Sequence, residues 1–408
     1  MKKLMILALM FVASATAFAG DSDALKAILK AKTYADAEQL LKSNLSQLAN
    51  DEEKATAYNK LVDLAVDAFN AQDKIRLTNQ TLGQNEPYDT KVMHEAAYNA
   101  LVNAMECDKY DALPNAKGKV KPRFHEKNLQ RLTPLRIDVI NAGVEAANNQ
   151  DNVGGYNYFM MYLNSAKSTL FAGSDVIKND ANLGLASYYA GRCALLNEEY
   201  DKANACLDEA LNDTAAEIRD GAFGFKLYAM NSAQKTAADS VKYLNDMKEL
   251  MAKYPDNEKV FGALGDALLQ RDMNDELIAL CNAHQQNPLA IVYKGMIAMN
   301  AKKYTEAIAD FSSITPDHPS YLQVVFNRAV CKLNVAGDFQ DTHANKNTGA
   351  MTPADDAKLK ELLNDAKGDF EIARQLDPEQ KTVRWAVLLR NIYYNLGEEE
   401  KYKELEFM

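Results

Sequence analysis

The chain has 408 residues, 47% of them apolar, and a formal net charge of −11; with a mean hydropathy of −0.36 it has ample material for a core and lacks the basic balance of a general nucleic-acid binder. Outside the extreme N-terminus no apolar run approaches the roughly 20 residues needed to cross a membrane as a helix. Cys107, Cys193, Cys206, Cys281 and Cys331 show no metal-binding spacing and read as small buried apolar residues, with Cys193 and Cys206 close enough in sequence to test for a bridge.

Residues 1–19 read as a secretory signal peptide. Lys2 and Lys3 precede an apolar run from Leu4 to Val12, and small residues end at Ala17-Phe18-Ala19, the order of charge, apolar core and cleavage site that export requires. Cleavage near Ala19 would leave Gly20 first, with no cysteine to carry a lipid. The expected location is periplasmic or secreted.

Residues 20–115 carry a diverged helical-repeat pattern. Tyr34, Ala37 and Leu41 fall in the order of a second repeat helix, and Leu61, Leu64, Ala65 and Ala68 give a helix from about Asp51 to Asn70 an apolar stripe. Another helix covers roughly Thr90–Cys107. His94-Glu95 opens HEAAY, a near miss of a zinc motif in which Tyr98 stands where the second histidine would be, so one imidazole is left to hold the metal.

A basic linker with further helices spans 116–179. Lys117, Lys119, Lys121, Arg123, Lys127, Arg131 and Arg136 accumulate here against Glu126 alone. They read either as a solvated loop between repeat groups or as a docking patch for an acidic partner or glycan. Helical pairing resumes near Glu126–Asn149 and Tyr156–Phe171, where Tyr156, Tyr158, Phe159, Met160, Met161 and Tyr162 crowd one helix; such density is inter-repeat core more often than a ligand surface.

From residue 180 to 408 the repeat is legible. With Pro288 as position 1, Gly295, Tyr304, Ala307, Phe311 and Pro319 stand at positions 8, 17, 20, 24 and 32. Gly191, Tyr200, Ala203, Leu207 and Ala210 keep the same frame, Gly265 marks a repeat with a shortened turn, and Ala366, Phe370, Ala373 and Pro378 mark a later second helix. Ala203 and Ala307 lie three periods of about 35 residues apart. The segment 337–356 interrupts the array and reads as a polar inserted loop. Its Asp341, His343, Asn345 and Asn347 could offer oxygens to calcium, but Lys346 stands where an EF-hand needs glycine.

These spacings resemble the tetratricopeptide (TPR) repeat, as found in exported bacterial TPR proteins, in which small residues let paired helices approach and proline ends the second helix. The resemblance implies an all-α fold, a right-handed superhelical solenoid of antiparallel helix pairs, about ten to twelve at most. It also implies a concave groove lined by positions 5, 9 and 12 of the first helices: Tyr188, Arg192, Asp266, Met296, Met299, Val324, Arg328, Asn391 and Tyr394. That mixture suits an extended peptide or helix. The Lys/Asn/Arg clamp with which some TPR proteins hold a terminal carboxylate is missing from the matching positions.

No convergent catalytic set stands out, and no cofactor is implied. The expected function is a non-catalytic protein-binding scaffold of the bacterial cell envelope, its partner another exported or outer-membrane protein, with no nucleic acid and no membrane span. The alternative is an enzyme or glycan-handling envelope protein using segment 117–136 or loop 337–356. A homo-oligomer, with a neighbour's Phe407-Met408 end in the groove, is a further possibility.

Overall fold

The computed structural model describes residues 21–115, 117–346 and 348–405, so the signal-peptide reading and the Phe407-Met408 end lie outside the described residues. Twenty α-helices and one 3-10 turn make up the described secondary structure, and the chain divides into two compact units at 233/234.

The first unit holds α1 (Asp23–Lys30), α2 (Tyr34–Asn44), α3 (Asp51–Leu82), α4 (Thr90–Asp111), α5 (His125–Leu132), α6 (Leu135–Asn148), α7 (Asn152–Lys167), α8 (Asp175–Lys178), α9 (Leu183–Leu196), α10 (Tyr200–Ala210) and α11 (Ala216–Ser232). Consecutive helices pack against each other, most extensively α3 on α4, α9 on α10 and α6 on α7. Their shared core includes Phe69, Leu101, Leu132, Phe159, Tyr162 and Phe171. The aromatic crowd at 156–162 is therefore packing: Phe159 and Tyr162 are fully buried, and Tyr156, Tyr158 and Met160 lean on the same cluster. The expected end of α3 near Asn70 is corrected to Leu82, where Gly83, at a φ of 64°, ends the helix in the left-handed region.

The second unit holds α12 (Ala237–Lys253), α13 (Glu258–Leu269), α14 (Asn274–Ala283), α15 (Pro288–Asn300), α16 (Tyr304–Ser312), α17 (Tyr321–His343), α18 (Pro353–Leu376), α19 (Ala386–Leu396) and α20 (Glu399–Glu404). The inserted loop expected at 337–356 is mostly helix. α17 continues to His343 and α18 starts at Pro353, because Ala336, Leu359 and Leu363 bury against each other's cluster and lengthen the hairpin. Thr352 caps α18 through the Asp355 N–H and Pro353 sits in its first turn, a helix start hidden in a turn-rich composition.

One turn geometry recurs in both units. Gln150, Glu198, Asp272 and Lys302 have φ between 53° and 64°, as Gly397 does at 73°. At each, the next residue's N–H donates five residues back, for example Glu199 to the Ala194 carbonyl and Lys303 to the Ala298 carbonyl, both at 2.9 Å. The left-handed residue's own N–H donates three residues back, as in Glu198 to Leu195 and Lys302 to Met299, both at 3.0 Å. This is the Schellman closure, and it turns the chain from α6 to α7, α9 to α10, α13 to α14, α15 to α16 and α19 to α20.

The helix crossings are equally regular. A Cβ on Gly191 would stand 2.6 Å from Leu207 Cγ, and one on Gly143 2.9 Å from Phe159; in both pairs the partner lies sixteen residues on, one helix and one turn away. Gly143, Gln150 and Phe159 thus place α6 and α7 in the same frame as Gly191, Glu198 and Leu207. Ala203, Ala307, Ala366, Phe311 and Phe370 are fully buried, whereas Pro319 and Pro378 are exposed after their helices. Tyr200 and Tyr304 open second helices and are half-buried.

Candidate functional site

The nine groove residues divide between the units, Tyr188 and Arg192 in the first and the other seven in the second. On α9, Tyr188 is half-buried and Arg192 is exposed. The Tyr188 ring lies 5.5 Å from Phe225 on α11, and Gly221 comes so close that a Cβ there would stand 2.8 Å from the ring. Tyr228, one turn further along α11, is 62% exposed, and Arg192 makes no ion pair among the described residues. The pair Phe225 and Tyr228 was missed in the sequence because α11 shows no glycine or tyrosine in the repeat frame.

In the second unit, two expectations fail. Val324 is 1% exposed and packs with Ala307, Phe311 and Cys331, because α16 covers that face of α17. Arg328 is taken by Asp369 of α18: its Nε and a terminal nitrogen reach the two carboxylate oxygens at 2.8 and 2.7 Å. Lys332 joins at 2.9 Å, so the guanidinium is committed inside the hairpin. Met296 and Met299 are half-buried against the α15–α17 cluster. Asn391 and Tyr394 are exposed on α19, the Tyr394 ring 5.7 Å from Tyr402.

The basic segment is also dispersed. Arg136 is buried, 2.8 Å from Asp180, its guanidinium 4.1 Å above the Tyr162 ring. Arg131 reaches Asp63 at 2.6 Å and Asn59 at 3.1 Å; Lys127 approaches Asp63 at 3.5 Å. Arg123 donates to the Glu52 carbonyl and Thr56 hydroxyl, each at 2.8 Å. As a single basic patch the set is corrected: four of its cations hold α5 and α6 to neighbouring acidic and polar groups, and only Lys117, Lys119 and Lys121 stay on the exposed loop. Asp108 anchors the same region, its buried carboxylate taking His125 Nδ1 at 2.6 Å and the Thr169 hydroxyl.

Other sequence candidates resolve locally. All five cysteines are buried and unbridged, and burial pushes the Cys107 thiol up to about 12 and the Cys193 and Cys206 thiols up to about 11. Asp341 and His343 lie on α17, where His343 Nδ1 faces the Phe339 carbonyl at 2.9 Å. Asn345 shapes the following turn by accepting the Thr348 N–H at 3.1 Å, and Asn347 lies outside the described residues. Among the described residues no helix is long and apolar enough to cross a membrane.

A concave site does exist in the second unit. A cleft of about 820 Å³ opens between the start of α13 (Glu258, Gly262, Ala263, Asp266), the start of α15 (Pro288, Leu289, Ile291) and the α16–α17 connection (Ile314, Asp317, His318). Ligand sites fall in this range of volume and combine apolar walls with a few fixed polar groups. Of the expected groove residues, Asp266 alone lines it. Asp266 is held from behind by Tyr293, whose hydroxyl lies 2.8 Å from the carboxylate and 2.7 Å from the Gly262 carbonyl. Gly265 makes this possible, since a Cβ there would stand 2.3 Å from the Tyr293 ring. Burial first, and the Asp266 charge next, push the Tyr293 phenol well up, so it stays protonated.

Comparison with known proteins adds the following. No protein-family model matches the chain, and no curated protein matches it. Several solved structures do. A TPR repeats protein from Bacteroides fragilis is 14% identical, covering 65% of this chain and 98% of its own, with a TM-score of 0.31. The TPR domain of P58(IPK) is 13% identical, covering 94% and 98%, with a TM-score of 0.29. A monomeric mutant of IFIT1 with Gppp-AAAA is 13% identical, covering 84% and 72%, with a TM-score of 0.38. The helix pairs are TPR-like. Their glycine crossings and Schellman turns carry the likeness.

Proposed function

We propose that this chain is a non-catalytic protein-binding scaffold of the bacterial cell envelope, and that it takes a segment of a partner protein in the cleft between α13, α15 and the α16–α17 connection. The observation that carries the reading is the cleft itself: the successive first helices α13 and α15, kept close by Gly265 against Tyr293, present apolar side chains beside carboxylates. Rigid helices display such a surface without needing a mobile lid.

Export is part of the same proposal. It is supported by Lys2 and Lys3, the apolar run from Leu4 to Val12 and the Ala17-Phe18-Ala19 end. N-terminal sequencing of the protein recovered from cells should begin at Gly20, and a protein beginning at Met1 would refute it. The partner is then another exported or outer-membrane protein.

The test of the scaffold reading is a photoreactive residue in place of Asp317, which is exposed at the rim of the cleft. One envelope protein should be captured in cells, and Ala263→Trp, which fills the cleft, should abolish that capture. Capture that survives Ala263→Trp would place binding elsewhere on the chain.

A further inference from the structure

We infer that the partner segment read by the second-unit cleft is cationic and apolar, an extended stretch in which a lysine or arginine alternates with aliphatic side chains. This rests on the scaffold reading above and specifies its partner.

Glu258, Asp266 and Asp317 line the cleft, with Lys259 as the lining residue of opposite fixed charge. Helix N-termini attract anions, but those of α13 and α15 are already occupied. Asn257 Oδ1 accepts the Val260 N–H at 3.1 Å and Asn287 Oδ1 the Leu289 N–H at 3.0 Å. Pro288 at the start of α15 has no N–H to offer, and Glu258 itself stands in the first turn of α13. At α13 and α15 the field left over at the mouth is that of the carboxylates.

One of those carboxylates is fixed in place. Asp266 is braced by Tyr293, which reaches it only because Gly265 lacks a side chain. Asp317 is exposed at the rim, and the Thr315 hydroxyl and its own backbone N–H keep its carboxyl below the ordinary range. His318 Nδ1 accepts the Ser320 N–H at 3.0 Å, so that ring nitrogen is turned to its own connection and away from a ligand. Between the acids run Ala263, Leu289, Ile291 and Ile314, walls suited to aliphatic side chains and to the methylene stem of a lysine.

Charge complementarity of this kind selects partners and makes affinity salt-dependent. The test uses the full chain without residues 1–19 and two fluorescein-labelled hexapeptides, Leu-Lys repeated three times and Leu-Glu repeated three times, read by anisotropy. The lysine peptide should bind at least about tenfold tighter. Asp266→Asn and Asp317→Asn should each weaken it at least about threefold, raising salt should weaken it further, and Ala263→Trp should abolish binding. Each variant's melting curve shows that it is folded. Equal binding of the two peptides, lost in Ala263→Trp, would overturn the cationic preference and leave the scaffold reading standing. Lysine-peptide binding that Ala263→Trp leaves intact, or no binding of either peptide, would overturn the inference; crosslinking at position 317 then decides the scaffold reading separately.

Discussion

A Cβ added to Gly295 would stand 2.6 Å from Cε1 of Phe311, a ring with no exposed surface. The glycine on α15 and the phenylalanine on α16 are therefore one packing unit, and the repeat is held at this distance by the missing side chain. Gly295→Leu should overpack the crossing, and Ala307→Leu, at an equally buried site, should do the same. Each should cost about 1–3 kcal/mol in urea unfolding. Unchanged midpoints in both would contradict the crossing.

The left-handed turns predict the opposite sign. Glu198 and Lys302 hold φ of 59° without being glycine, a conformation that strains a side-chain-bearing residue. Glu198→Gly and Lys302→Gly should each stabilise the protein by about 0.5–1 kcal/mol, the relief of strain exceeding the extra chain entropy of glycine. Gly397→Ala, at a φ of 73°, should destabilise by a similar amount. Thermal melts of the three variants give the comparison.

Arg328 and Asp369 are 14% and 7% exposed in their side chains. Arg328→Ala should cost about 3 kcal/mol, the low end for a broken buried pair, because Lys332 still faces the carboxylate. Arg328→Met with Asp369→Leu should cost less than the single substitution, since Lys332 keeps Asp365 at 2.7 Å and no uncompensated charge then remains. A double change that costs more than Arg328→Ala alone would show that the pair is itself a net stabiliser.

Asp377 gives the chain a definite response to acid. Its carboxylate accepts the Lys381, Thr382 and Val383 N–H groups at 2.9, 2.8 and 2.9 Å, and those donors, Val383 first, hold its carboxyl below the ordinary range. A depressed folded value means that its stabilisation is complete above the usual carboxylate value of about 3.9 and is lost as pH falls through the folded one. Asp377→Asn should lower the Tm at pH 7 and flatten the acid limb below about pH 4. A variant curve parallel to that of the parent protein through that limb would contradict the assignment.

How much of this was legible depends on the range of the interaction. Gly191, Ala203, Leu207, Gly295, Ala307 and Phe311 show the frame because the contact between positions 8 and 24 spans one helix and one turn, a length set by helix geometry. The same frame in α6 and α7 was present as Gly143 and Phe159 and went unread, since Gly155 replaces the usual alanine and Tyr156–Tyr162 obscure the stripe. The Thr352-Pro353 start of α18 was masked by its turn-forming neighbours. The cleft left almost no trace, because its walls come from three helices and a connection that no single period links.

The sequence by itself determined the repeat: small residues at the helix crossings and a shared phase, both consequences of local geometry repeated along the chain. Tertiary structure alone decided which charges are free. Arg136 finds Asp180 and Arg328 finds Asp369, partners more than forty residues away, whereas Asp266 is braced by Tyr293 and left facing a cleft. A charge is spent or available according to what the next helix brings against it, and that depends on packing, which spacing along one helix does not encode.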